Sequence, residues 1–131
     1  MSAEKKKKHS KLLVTISIVG IIIVAISAFV VISLNEYYDK NTWATLEITE
    51  DADNPPLVME KLGKDDVVDL SFAEVNIEQI RATKGISIAT NADIIYRDYI
   101  YHSLTLREGE QCIIKSGEKS AVITVTSIYG Y

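Results

Sequence analysis

The chain has 131 residues, of which 47% are hydrophobic and 24% charged, with a formal net charge of −4. Its single cysteine, Cys112, excludes an intramolecular disulfide. With no Asn-x-Ser/Thr sequon present either, the composition fits a prokaryotic envelope better than a eukaryotic secretory product. The charge is unevenly placed: five lysines against Glu4 precede Leu12, net +4, while the remaining nine basic and seventeen acidic residues follow Leu34, net −8. So acidic a body argues against nucleic-acid binding, which needs clustered Lys and Arg to displace counterions.

In chain order, residues 1–11 form a basic tail too short and too charged to bury anything, expected to be disordered or lipid-associated. Residues 12–34, LLVTISIVGIIIVAISAFVVISL, contain no charged side chain. A helix of that length rises roughly 34 Å, enough for a hydrocarbon core of about 30 Å. The sequence therefore predicts a single transmembrane helix. Its length, running past the small-residue site Ala25-Ile26-Ser27, favours a retained signal-anchor over a cleaved leader. With no ionisable residue and no small residues four apart, the helix is expected to tether, not to transport or dimerise tightly. Lysines on the N-terminal side place that end in the cytoplasm and the rest outside the cell membrane.

Residues 35–42 read as a juxtamembrane linker, with Tyr37 and Tyr38 at the interface and a helix break near Asn41. Residues 43–131 read as an extracytoplasmic β domain. Trp43–Thr49 alternates as a half-buried strand, and Glu50–Pro56 is an acidic, proline-stiffened loop. Leu57–Leu62 is apolar but of undecided type; Gly63–Asp66 is a turn, and Val67–Phe72 a strand. Ala73–Ile80 alternates with Ala73, Val75, Ile77 and Gln79 on one face and Ile80 on the other. Ile86–Thr90, a turn at Asn91–Asp93, and a strand over Ile94–Leu106 come next. Turns at Glu108–Glu110 and Ser116–Lys119 bracket the strand Gln111–Lys115, and the β-branched run Ser120–Tyr129 closes the chain. Turns at this spacing predict a small all-β fold, an antiparallel β-sandwich or small barrel.

Chemistry-bearing constellations are sparse. Asp51, Asp53 and Asn54, with Glu50, offer hard oxygen ligands suited to calcium. They lack the turn glycine and terminal bidentate Glu of a calcium loop, so a solvated acidic loop is the stronger reading and no metal or cofactor is predicted. Asp98 and His102 could form part of a triad, but neither Ser103 nor Cys112 sits in a nucleophile motif, and Cys112 lies in an apolar strand context that predicts a buried thiol. No catalytic set is found and enzymatic function is not expected. If Ile94–Leu106 is one strand with Ile94, Tyr96, Asp98, Ile100, His102 and Leu104 inward, Tyr99 and Tyr101 form an exposed aromatic strip beside Arg97, the material of a binding face.

The order of basic start, apolar helix and β domain resembles pilins in architecture, yet Ser10-Lys11-Leu12-Leu13 stands where a pilin has its glycine junction, and the Glu early in the mature helix is missing. The functional expectation is a membrane-anchored interaction protein, an accessory or assembly subunit of an envelope complex, whose partners are membrane lipid and another envelope protein. A surface module for a cation or saccharide, and a pilin-like filament subunit, are the alternatives.

Overall fold

The structure is a computed structural model that describes residues 2–51 and 53–131; side chains are described from Lys11 onward. Met1 and Ala52 lie outside the described residues. The chain forms two compact units, residues 1–36 and Tyr37–Tyr131.

The first unit belongs to one helix, α1 (Ser2–Lys40). Its apolar stretch is exposed along its whole length, from Leu34 at 46% to Phe29 at 71%. A helix of this length and apolarity can cross a membrane, and it suits a membrane anchor and a signal sequence alike. The basic tail, expected to be disordered, has helical backbone from Ser2. Lys, Glu and Ala are good helix formers, and extending an existing helix needs no new nucleus. α1 ends at Lys40, where Asn41 turns back on the last turn: its backbone N–H and its side-chain Nδ2 both donate to Tyr37 O, at 3.0 and 2.8 Å.

The second unit is an antiparallel half-barrel of eight strands. The strands are β1 (Trp43–Thr49), β2 (Leu57–Leu62), β3 (Val67–Asp69), β4 (Glu74–Arg81), β5 (Gly85–Tyr96), β6 (Tyr99–Leu106), β7 (Gln111–Ser116) and β8 (Lys119–Tyr129). They form one sheet in the order β2-β1-β8-β7-β5-β4-β3, with β6 paired to β5 alone. The sheet curls because β5 is long and irregular. Its first half pairs with β4 and its second half with β7, and its register against β6 shifts between Ala89 and Ile94.

Alternation supplies the core. Ala44, Leu46 and Ile48 of β1, Cys112 and Ile114 of β7, and Ala121, Ile123 and Val125 of β8 all point inward and are buried. They meet Val75, Ile77, Ile86, Ile88, Ile94 and Leu106 from the other half of the sheet. With no disulfide, this single apolar cluster holds the unit together.

Two sequence expectations are corrected by bulges. On β4 the register shifts between Ile77 and Gln79, so Ile80 is buried and Gln79 is exposed, the reverse of strict alternation. The turn expected at Asn91–Asp93 is instead continuous β5, and the chain reverses five residues later. An extra residue in one strand flips every later side chain to the opposite face.

Candidate functional site at the β5–β6 hairpin

The reversal between β5 and β6 is a two-residue loop, Arg97–Asp98, between the paired residues Tyr96 and Tyr99. Both loop residues are left-handed, with φ of 50° and 68°. That geometry matches the twist of the flanking strands. Asp tolerates it readily; Arg97 does so with help from its surroundings. Its guanidinium lies 5.0 Å from the centroid of the Tyr96 ring, and its Nη2 is 3.6 Å from Glu110 Oε2.

Glu110 organises the base of this hairpin. Its Oε1 accepts the Arg107 N–H at 2.9 Å, closing the β6–β7 turn, and its Oε2 accepts the Tyr96 hydroxyl. The Tyr96 hydrogen bond, then the Arg107 N–H, then the charges of Arg97 and Arg107 outweigh partial burial and hold the Glu110 carboxyl below its ordinary range. The same bond raises the Tyr96 hydroxyl, so the proton stays on the tyrosine.

The loop changes the predicted faces. Cross-strand partners share a face, and the pairs are Ile94 with Tyr101, Ile95 with Ile100, and Tyr96 with Tyr99. Tyr99 and Tyr101 therefore extend the face of Ile94 and Tyr96, while Ile100 lies on the other, with Ile95. A single strand over Ile94–Leu106, the basis of the sequence expectation, does not form. Tyr99 and Tyr101 are nonetheless exposed, at 68% and 36%, because among the described residues β6 has no neighbour beyond β5. Arg97 stands at the tip and not along the strip. Sequence reasoning missed Ile100, which is 64% exposed and continues an apolar row through Ile95 of β5 to Ile113 of β7. The signal was the dipeptide Arg97-Asp98 between tyrosines, a weak turn marker without glycine.

The other candidates are not assembled. In the acidic loop the Asp51 carboxylate accepts the N–H of Asp53 at 3.0 Å, and Asn54 N–H bonds to Asp51 O at 3.2 Å, so Asp51 is spent on its own turn. Glu50 Oε1 accepts the Ser71 N–H at 2.8 Å. Among the described residues, no three His, Cys, Asp or Glu side chains converge as metal ligands would. His102 Nδ1 lies 3.1 Å from Ala92 O, and Asp98 is in the hairpin loop. Cys112 is buried and free, and desolvation pushes its thiol up to about 12, so it offers no thiolate at neutral pH.

A second polar cluster, also missed, lies within the β unit where α1 ends. Arg81, almost fully buried, places Nη1 2.8 Å from Asp39 Oδ1 and donates from the same nitrogen to Ile80 O at 2.8 Å. Lys64 Nζ reaches Asp39 Oδ2 at 3.3 Å, and the Tyr38 ring sits 5.6 Å beneath the Arg81 guanidinium. Burial raises the Asp39 carboxyl, but Arg81 and Lys64 together outweigh it and leave the group below its usual range. Tyr37 and Tyr38, expected at a membrane interface, pack their rings 5.4 and 5.3 Å from that of Tyr131. Nothing in the sequence marks Arg81 as buried, since the groups that cover it, Asp39 and Tyr38, come from the end of α1 some forty residues away.

The chain matches no protein-family model, no curated protein and no solved structure at a significant level.

Proposed function

We propose that this chain is a membrane-anchored interaction subunit of the cell envelope. Residues 12–34 serve as a retained anchor with the lysine-rich end in the cytoplasm, and the half-barrel stands outside as the binding part. The reading is non-enzymatic. One observation carries it: the β5–β6 hairpin presents Tyr99, Ile100 and Tyr101 to solvent on a strand with a free edge. Exposed aromatic and β-branched side chains on a rigid hairpin give contact area at low entropic cost, the usual make-up of an interface centre. The polar clasp of Glu110, Tyr96 and Arg97 fixes the hairpin before any partner arrives.

The test is crosslinking in native membranes followed by affinity capture of the full chain. Wild type should retain a defined envelope protein, and the double variant Tyr99→Ser, Tyr101→Ser should lose it while remaining folded and membrane-bound. Recovery of the chain alone under all crosslinking conditions would sink the proposal.

A further inference from the structure

Among the described residues the sheet has three free edges, and two of them carry the usual protections against edge-to-edge pairing. β2 is preceded by Pro55 and Pro56, bears Glu60 and Lys61, and is broken by the left-handed backbone of Lys61 at φ 56°. β3 is only three residues long, is preceded by Asp65 and Asp66 and ends on Asp69. Short length, charge, proline and irregular backbone are how soluble sheets avoid adding strands. β6 has none of these within its length. Its eight residues, YIYHSLTL, include no Asp, Glu, Lys, Arg, Pro or Gly, and all but Leu104 and Leu106 are exposed. An open edge of that kind is a template for another strand.

We propose that β6 is covered by β6 of a second copy of this chain. The two strands run antiparallel about a two-fold axis and join two half-barrels into one continuous sheet. The inference rests on the reading of the chain as an anchored interaction protein and adds a second copy of the chain to its partners. Charge selects this occupant. The residues after Leu34 carry a net −8, so most surfaces of two copies repel, whereas β6 is uncharged and each of its ends is neutral. Arg97 and Asp98 flank one end, and Arg107 and Glu108 flank the other. Antiparallel pairing lays the Arg97–Asp98 end of one copy beside the Arg107–Glu108 end of its mate, so Arg107 comes beside Asp98, while Arg97 keeps Glu110 and Glu108 keeps the Ile128 N–H within each copy. The pairing is isologous and closes on itself, leaving no β6 edge for further growth. It also carries the apolar row of Ile113, Ile95 and Ile100 across to the mate. Tethering both copies in one membrane makes the encounter two-dimensional and raises their effective concentration.

The experiment uses the full chain in its native membranes with single cysteines at the centre of β6, His102→Cys and Ser103→Cys in separate variants. The two positions cover the two centred registers that keep an antiparallel ladder in phase. Val58→Cys on β2 is the control. Cys112 is buried and does not compete. Mild oxidation should convert at least one β6 variant to a species of twice the monomer mass, at a yield at least ten times that of Val58→Cys. Adding Ile100→Lys, a charge on the open edge, should remove that species while the half-barrel keeps its far-ultraviolet circular dichroism. Equal yields from β6 and β2 cysteines, or no dimer from either β6 variant, would overturn self-pairing. A crosslink from β6 to a different protein would also overturn it, while leaving the anchored-interaction reading intact. A β6 dimer with no other envelope protein captured would support self-pairing and count against the envelope partner.

Discussion

Strands β1 (WATLEIT) and β6 (YIYHSLTL) read alike: similar length, aromatic start, alternating apolar residues, no glycine or proline. In the fold they are opposites. β1 lies between β2 and β8 and buries Ala44, Leu46 and Ile48; β6 has β5 on one side only and buries Leu106 alone. The difference teaches that alternation says which residues could share a face, while the number of neighbours decides whether that face is covered. β1 is held by burial. β6 is held at one end by Leu106 and at the other by the polar clasp around Glu110.

If so, equivalent truncations should behave very differently. Leu46→Ala, in the middle of β1, should cost about 3 kcal/mol, the transfer loss plus a cavity, measured by urea unfolding of the full chain in detergent. Gly85→Ala attacks the Leu106 end of β6. At φ +113° an added Cβ would lie 2.1 Å from Leu106 O, so the β4–β5 turn and the end of β6 must part; a loss of about 2 kcal/mol is expected by the same assay. The clasp end should be acid-sensitive where β1 is not. Glu110 has a folded pKa below its unfolded value, so its contribution is present above pH of about 4.3 and is lost as the pH falls through the folded value. Hydrogen-exchange protection of Tyr99–Tyr101 should therefore drop on acidification while that of Leu46 holds, and Glu110→Gln should remove the pH dependence at the tip. The smallest effect belongs to Ile100→Ser, which should change stability by less than about 0.5 kcal/mol because the side chain is already in water. A large loss there would mean that β6 is buried in the isolated chain, and the contrast with β1 would fail.

Much of the half-barrel is readable locally. β1, β7 and β8 announce themselves by alternation and β-branched content, and the reversals at Gly109 and Gly117 by glycines with φ of 86° and 64°. What escapes is everything beyond an irregularity. The bulge on β4 hides the burial of Ile80, the distant Asp39 and Tyr38 bury Arg81, and the shifted register of β5 turns an expected loop at Asn91 into strand. In the candidate site, Arg97, Tyr99 and Tyr101 stand out by residue type. The exposed Ile100 does not, because an isoleucine in a strand is core material until the edge is seen to be open.

The sequence by itself determines an uncharged helix long enough to cross a membrane, an all-β body, a core without disulfides and an apolar setting for Cys112. Those properties depend on length, composition and local period, which are written residue by residue. Only the tertiary structure decides that the strands form one curled sheet, that Tyr99 shares a face with Tyr96, that Arg81 meets Asp39, and that β6 is the edge left open. Each of these depends on which distant strand lies alongside and in which register, and one inserted residue is enough to reverse the answer.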